Sequence, residues 1–233
     1  MKYFDFKQFR INQERSAFKV GTDGVLLGAW ADASSAGNIL DIGTGTGLLA
    51  LMLGQRTECD IVAVEADKTS YEEALLNVNN SPWHKRIRLV NTSIQDYLPA
   101  RTFDLIVSNP PFFSNSLKNK DERLGRARHD INLNPRDLLK AVERLLSGEG
   151  TFCLVLPYTG AALFIADASE FGLYCNKMLK VKPLPSSPVK RILMEFSRVK
   201  KEMHQSFLTI ESGKRHQYTV AYKKLTSAYY LNF

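Results

Sequence analysis

The stretch Asp41-Ile42-Gly43-Thr44-Gly45-Thr46-Gly47 decides the fold of this chain. It follows a short apolar run, residues 38–42, that predicts a strand, and it opens a longer run, residues 47–55, that predicts a helix. Glycines at alternate positions let the backbone turn sharply and let a ligand approach without a Cβ in the way. In open α/β sheets such a turn lies at the carboxyl edge, where ligands bind.

Strand-like and helix-like runs alternate after this turn. Further strands are predicted at residues 60–64, 86–91, 103–108 and 150–156, with helices at 68–80, 136–146 and 160–171. Two last strands, at 174–181 and 191–197, follow each other through a proline-rich turn. Such alternation implies right-handed crossovers and a parallel sheet covered on both faces. The sequence therefore predicts one α/β domain with a Rossmann-like, mostly parallel seven-stranded sheet and a closing antiparallel hairpin.

Composition and the ends of the pattern set the domain organisation. The core is predicted at residues 38–197, an N-terminal extension with a hairpin and a helix at 1–37, and a C-terminal tail packed on the core at 198–233. With 44% hydrophobic and 24% charged side chains among 233 residues, the composition is that of a folded protein. The apolar runs are too short to span a bilayer, and the first residues lack the apolar region of a signal peptide. Three cysteines without a CxxC pair and histidines without ligand spacing predict a reduced cytoplasmic location and no metal.

Two carboxylates frame the glycine turn. Asp41 precedes it, and Glu65 ends the second predicted strand, where an acid can hold the hydroxyl groups of a ribose. A nicotinamide dinucleotide site would have GxGxxG, but here the third glycine comes one position early. The pattern DxGxGxG resembles the first motif of class I S-adenosylmethionine-dependent methyltransferases. That resemblance implies that Asp41 meets the amino-acid part of the cofactor, that Glu65 binds its ribose, and that Gly43, Gly45 and Gly47 line the pocket.

A second motif, Asn109-Pro110-Pro111-Phe112, follows the strand predicted at residues 103–108. Consecutive prolines restrict the backbone, so the Asn109 side-chain oxygen and the Pro110 carbonyl oxygen form a fixed pair of acceptors for one –NH2 group. Phe112 can stack on the ring that carries this group. Two acceptors on an amine would align its lone pair with an electrophilic methyl group, so catalysis would need positioning and electrostatics but no strong general base.

This motif resembles the [NDS]PP[YF] signature of amino-group methyltransferases, which act on adenine-N6, guanine-N2 or glutamine-N5. Over nearly the whole chain, the sequence resembles the bacterial family of adenine-N6 methyltransferases that modify the adenosine 3′ of the anticodon in a valine tRNA. The segments that carry this resemblance are Lys19–Trp30, the run from Asp41, the Asn109 motif and Tyr218–Phe233. The resemblance implies tRNA as partner, and it places Lys19, Thr22 and Asp23 over the cofactor pocket, with Asn109 at its edge.

Two positions depart from the family pattern. The family usually has Tyr where this chain has Phe112, which keeps the stacking face and loses a hydroxyl group. Where the family often offers Asp to the cofactor adenine, this chain has Ser93. Ser93 or the backbone of Ile94 can serve instead, and Asp96 comes shortly afterwards.

The net charge of +7 indicates a polyanionic partner. A long polar segment, residues 114–135, directly follows the second motif. Its basic residues are predicted to contact RNA phosphates, because an enzyme that flips a base out of folded RNA must hold the backbone. They are Lys118, Lys120, Arg123, Arg126 and Arg128. A second group of basic residues begins at Lys177. For the oligomeric state, we expect a monomer.

Other functions stay open at this point. The amino group could belong to adenine or guanine of rRNA, or to a glutamine of a release factor. Guanine-N2 relatives usually carry a duplicated methyltransferase half, and glutamine-N5 relatives an N-terminal helical recognition domain, for which this chain offers little room. A non-catalytic RNA-binding module with a vestigial cofactor fold is the alternative from another class, and the intact Asp41, Glu65 and Asn109 argue against it.

Overall fold

The computed structural model describes residues 2–16, 18–111 and 133–232. A central sheet is formed by β3 (Asn38–Ile42), β4 (Asp60–Glu65), β5 (Ile87–Asn91), β6 (Phe103–Ser108), β7 (Leu146–Pro157), β8 (Tyr174–Lys182), β9 (Arg191–Ser197) and β10 (His204–Thr209). A separate antiparallel hairpin is formed by β1 (Tyr3–Asp5) and β2 (Arg10–Asn12). The helices are α1 (Thr22–Trp30), α2 (Leu48–Gly54), α3 (Lys68–Asn79), α4 (Pro135–Leu145), α5 (Tyr158–Glu170) and α6 (Val220–Thr226).

The order of the strands is β10-β8-β9-β7-β6-β3-β4-β5. All neighbouring pairs are parallel except those of β9, which runs antiparallel to both β7 and β8. The carboxyl ends of β3, β4, β6 and β7 therefore lie at the same edge as the first residue of β9. The α/β class and the mostly parallel sheet that the sequence predicts are confirmed.

The predicted number of seven strands is wrong, because the central sheet has eight strands among the described residues. The additional strand, β10, comes from the segment expected to be a tail, and it pairs in parallel with β8 at the edge of the sheet. Only Leu208 of its residues is buried. An edge strand has one neighbour and one largely solvated side, so its sequence lacks the apolar alternation by which a strand is recognised.

The sheet is covered on both faces, which explains why its central strands are continuously apolar. Within β3, Ile39 packs into the cluster that contains α1 and α2, and Leu40 packs into the opposite cluster, which contains α4 and α5. Both side chains are fully buried. Burial of one such side chain stabilises the fold by about 1.5–3 kcal/mol relative to its exposed state, so the glycine turn starts from a rigid strand.

The two ends of the chain pack together beside α2. The ring of Phe6 stacks on that of Phe9 at 4.6 Å and lies 6.1 Å from that of Tyr230. The N–H of Lys7 donates to the carbonyl oxygen of Tyr229 at 2.8 Å. The hydroxyl of Tyr229 donates to the carbonyl oxygen of Met52 at 3.2 Å. These contacts join the N-terminal hairpin and the C-terminal segment to the helix that follows the glycine turn.

Candidate active site

The glycine turn joins β3 to α2 in a conformation that requires glycine. The φ angles of Gly43, Gly45 and Gly47 are 70°, 57° and 84°, all in the left-handed region that side chains with a Cβ rarely adopt. The N–H groups of Gly43 and Thr44 donate to the carbonyl oxygen of Val64 at 2.9 and 3.1 Å, which fixes the turn to the end of β4. Apart from the glycine itself and its two chain neighbours, no described atom lies within 4 Å of the position that a Cβ of Gly43 or Gly45 would take. The turn therefore presents open backbone at the carboxyl edge.

Asp41, the last residue but one of β3, is a fully buried carboxylate. Its Oδ2 accepts a hydrogen bond from the Thr44 hydroxyl at 2.5 Å, and its Oδ1 has no hydrogen-bond partner among the described residues. Burial raises the pKa of Asp41 to about 7, against the opposing effect of the Thr44 hydrogen bond. A buried carboxylate oxygen without a partner costs stability and suits a ligand that brings a cationic or N–H donor.

Glu65, the last residue of β4, is the second carboxylate at this edge. Its Oε2 accepts from the N–H of Gly45 at 2.8 Å, and its Oε1 accepts from the N–H of Asp67 at 2.9 Å. Burial raises its pKa, although these backbone hydrogen bonds oppose the effect. The structure thus brings together the acid and the glycine turn that the sequence placed at one edge.

Asn109 and Pro110 directly follow β6, the strand beside β3. The hydroxyl of Ser108 donates to the carbonyl oxygen of Ile42 at 2.9 Å, so the ends of the two strands are tied together. A Cβ on Gly24 of α1 would lie 3.5 Å from Nδ2 of Asn109 and 2.8 Å from Cδ2 of Leu48. The absence of a side chain at Gly24 lets the first turn of α1 approach the Asn109 motif closely.

Three residues predicted over the cofactor pocket lie at or before the start of α1. Thr22 is its first residue and is exposed. Asp23 forms an ion pair with Arg191, the first residue of β9, with Oδ2 and Nε 2.7 Å apart. The ammonium group of Lys19 donates to the carbonyl oxygens of Gln13 and Ser16. Asp23 and Lys19 therefore engage protein groups, and they join α1 and the preceding segment to the rest of the site.

The third helix supplies polar residues that sequence reasoning missed. Asn77 is buried; its Nδ2 donates to the carbonyl oxygens of Thr46 and Asn12, both at 2.9 Å. Its Oδ1 accepts from the N–H of Asn12 at 2.8 Å. Asn77 thus links the glycine turn to the end of the N-terminal hairpin.

Glu73 holds the next part of the N-terminal segment in the same way. Its carboxylate accepts from the N–H groups of Arg15 and Ser16 at 2.9 and 2.7 Å, and the Ser16 hydroxyl lies 3.3 Å from that of Ser70. Ser70, Glu73 and Asn77 follow each other at helical spacing and so share one face of α3. A helix that packs against a sheet normally turns an apolar face to it, so the polar spacing of Ser70, Glu73 and Asn77 was the sequence signal that could have revealed these contacts.

Ser93, predicted at the cofactor adenine, lies in the turn after β5. Its hydroxyl donates to Oδ2 of Asp96 at 2.6 Å, and it accepts from the N–H of Asp96 at 3.1 Å. The N–H of Thr92 donates to the carbonyl oxygen of Glu65 at 3.1 Å. Ser93 and Asp96 are therefore one hydrogen-bonded unit that is connected to Glu65.

Several predicted residues lie outside the described part of the chain. They are Phe112 of the second motif and the five basic residues Lys118, Lys120, Arg123, Arg126 and Arg128. Within residues 2–16, 18–111 and 133–232, no group of His, Cys, Asp or Glu side chains could hold a metal ion. In the same ranges, no helix has the length and apolarity needed to cross a membrane.

Comparison with known proteins places this architecture in a class. Residues 16–156 match the family model of the methyltransferase small domain. The fold is similar to that of a predicted O-methyltransferase from Agrobacterium tumefaciens (TM-score 0.68, 18% identity), covering 89% of this chain and 96% of that one. It is also similar to a ribosomal protein L11 methylase from Lactobacillus delbrueckii subsp. bulgaricus (TM-score 0.59, 19% identity), covering 82% and 84% of the two chains. The fold and the site define a class I S-adenosylmethionine-dependent methyltransferase.

Curated relatives give the particular family. A protein from Trichodesmium erythraeum is 48% identical over 99% of this chain and 98% of its own length. Proteins from Bacteroides fragilis and Pseudoalteromonas translucida are 44% and 43% identical, again with 98% or more of each chain covered. All three are named tRNA1(Val) (adenine(37)-N6)-methyltransferase, and the chain belongs to this family.

Proposed function

We propose that this enzyme transfers the methyl group of S-adenosylmethionine to the N6 amino group of adenine-37 in tRNA1(Val), the substrate named for its relatives. The observation that carries the proposal is the position of Asn109 and Pro110. They follow β6 at the carboxyl edge, next to the strand that ends in the glycine turn. An acceptor pair for an –NH2 group beside a cofactor turn supports transfer to an amine.

The residues present fit the cofactor. The open backbone beside Gly43 and Gly45 leaves room for a ligand, and the unpartnered Oδ1 of Asp41 supplies an acceptor for its cationic amino-acid part. Glu65 would hold the ribose hydroxyl groups, with Gly47 shaping the turn. Ser93 would contact the adenine, and Asn109 would touch both cofactor and substrate. Thr22 would lie at the mouth of the cofactor pocket. Lys19 and Asp23, which engage protein groups, would shape its wall.

In the proposed reaction, the protein mainly positions the target amine relative to the cofactor. When bound, the cofactor supplies a methyl group attached to a cationic sulfur. The oxygen of Asn109 and the carbonyl oxygen of Pro110 would accept the two hydrogens of the adenine amine and so orient its nitrogen lone pair. Phe112 would stack on the base and hold its plane. Because the two acceptors also stabilise positive charge that develops on the nitrogen, the methylated nitrogen would release its proton to solvent without a strong general base.

Basic side chains are the groups that would recognise the RNA. We propose that Lys118, Lys120, Arg123, Arg126 and Arg128, which follow the Asn109 motif in the sequence, contact phosphates near the flipped base. A cytoplasmic, monomeric enzyme remains our prediction, in keeping with a tRNA substrate.

Radiolabelled cofactor incubated with unmodified total tRNA tests the function. We expect label in N6-methyladenosine of a single valine tRNA after nucleoside analysis. No label in tRNA, together with label in the rRNA or protein of a whole extract assayed in parallel, would contradict the proposal. Ribonuclease treatment of the substrate separates the two cases, because methyl acceptance by a protein glutamine survives it and acceptance by RNA does not.

A further inference from the structure

The positive charge of this chain is concentrated in its last quarter. Residues 172–233 contain twelve Lys and Arg against three Glu, a net charge of +9, which exceeds the +7 of the whole chain. These residues include β8, β9 and β10, the strands on one side of the sheet. The field of the molecule is therefore strongly asymmetric, with its positive side away from the acidic residues of the cofactor pocket.

Part of this charge lies along the carboxyl edge of the sheet, in a row connected by backbone hydrogen bonds. The N–H of Tyr158 donates to the carbonyl oxygen of Lys190 at 3.1 Å, and the N–H of Lys190 donates to that of Val181 at 2.9 Å. The N–H of Ile210 then donates to the carbonyl oxygen of Lys182 at 2.9 Å. The row thus runs from the start of α5 across the ends of β8 and β10.

Arg191, next to this row, connects it through α1 to the Asn109 motif. Arg191, which follows Lys190, holds Asp23 of α1. The next residue of α1, Gly24, lies against Asn109. The row and the Asn109 motif therefore lie at the same edge of the sheet, where β6 and β8 end.

Exposed aromatic rings accompany the charges. Tyr158 is 47% exposed and Phe207 is 65% exposed. The Nζ of Lys180 lies 5.6 Å from the ring centroid of Phe207 and donates to Oε1 of Gln205. Aromatic rings next to ammonium groups are the combination on which unpaired nucleotides stack while their phosphates are neutralised.

We propose that tRNA docks along this basic rim, formed by Tyr158, Lys180, Lys182, Lys190 and Phe207, as it presents the target base to Asn109. The inference rests on the proposed function, since it assigns the surface that holds that substrate. Lys182 and Lys190 neutralise phosphates, and the exposed face of Phe207 stacks on an unpaired base further from the reaction. A polyanion fits because the rim combines three lysines with two exposed rings at the edge of the sheet where β6 ends before Asn109.

Charge reversal on the rim tests the phosphate contacts. We expect the double variant Lys182→Glu/Lys190→Glu to bind a valine tRNA transcript at least about tenfold more weakly in fluorescence anisotropy. Loss of two phosphate contacts should also lower the slope of log affinity against log salt by about 1.5–2. The KM for tRNA should rise, while kcat at saturating tRNA and the calorimetric affinity for S-adenosylmethionine stay near wild type.

The control is Lys85→Glu/Arg88→Glu, which changes the net charge equally at exposed positions by β5, the opposite edge strand. If both double variants weaken tRNA binding equally, or neither does, the rim is not the docking surface. Absence of tRNA methylation by the wild type would instead defeat the proposed function, and anisotropy would still decide whether the rim binds RNA.

A second pair of variants tests the stacking contact without a change of charge. Phe207→Ala should weaken tRNA binding about tenfold, because base–aromatic stacking is lost, whereas Phe207→Tyr should keep the ring and the affinity. Equal affinities of Phe207→Ala and wild type would overturn the role of this ring.

Discussion

The segment that contains the glycine turn and the segment that contains the lysines of the basic rim have opposite net charges. Residues 38–111 carry nine Asp and Glu against six Lys and Arg, a net charge of −3, whereas residues 172–233 carry +9. The first segment buries its key carboxylates and contains a turn whose φ angles favour glycine. The second carries its charges on one side of the sheet, where Lys177, Lys180 and Lys182 of β8 are half-buried and Lys190 is exposed. A small ligand must be enclosed and oriented, but a large polyanion only has to be attracted and held at many points.

The largest effect should come from the residue where the two functions meet. Asn109→Ala removes one acceptor for the target amine, and we expect the rate of methyl transfer to fall about 10³-fold or more. Cofactor binding in calorimetry should persist, because Asp41 and Glu65 remain. Asn80→Ala, at an exposed position after α3, is the matched control. Transfer at nearly the wild-type rate in Asn109→Ala would remove the amine-acceptor role.

The pH dependence of stability tests the enclosed charge in the first segment. Since burial raises the pKa of Asp41 to about 7, the folded protein retains a proton that the unfolded chain, with a carboxyl pKa near 4, releases. The resulting stabilisation is fully present below about pH 4 and is lost as the pH rises to about 7. Its upper limit is on the order of 4 kcal/mol.

Urea unfolding of the wild type and of Asp41→Asn between pH 4 and pH 8 measures this effect. The free energy of unfolding of the wild type should fall relative to that of the variant over this range, because the amide does not titrate. Groups that do not interact with Asp41 contribute equally to both curves and cancel in the difference, whereas Glu65, which interacts with Asp41, contributes to it. A difference independent of pH would mean that Asp41 stays ionised throughout.

Glu65→Ala should weaken cofactor binding about 50-fold, roughly 2 kcal/mol, because a hydrogen-bonded charged group is lost. The variant also leaves the N–H groups of Gly45 and Asp67 without this acceptor. The loss should appear in the calorimetric Kd for S-adenosylmethionine. Glu58→Ala is the control, since that side chain is 95% exposed. Unchanged affinity in Glu65→Ala would contradict the ribose contact.

The smallest effect concerns the ion pair that joins the two regions. Asp23→Asn should lower kcat/KM for tRNA about fivefold, because a partly exposed ion pair contributes about 1 kcal/mol. Cofactor affinity should change little, since Asp23 acts through the position of α1 beside Asn109. The exchanged pair Asp23→Arg/Arg191→Asp should recover part of the loss. Equal damage in the single and the exchanged variants would show that charge pairing is not the role of Asp23.

Local signals predicted the first region well. The glycine spacing and the acid at Glu65 required only that one strand end beside another, and parallel strands with right-handed crossovers ensure that. The observed left-handed φ angles and the Glu65–Gly45 hydrogen bond follow the same local pattern. The strand β10 was missed because a short edge strand with one buried side chain carries almost no periodic signal.

The sequence by itself therefore determined the class of fold and the glycine turn, and it supplied the Asn109 motif that we propose binds the amine, since each depends on neighbouring residues and on backbone stereochemistry. Tertiary structure alone decided what the remaining polar residues do. Asp23 pairs with Arg191, and Asn77 and Glu73 hold the N-terminal segment over α3. Such distant partners become neighbours only when hydrophobic burial brings the helices and the sheet together. No local sequence pattern predicts these contacts.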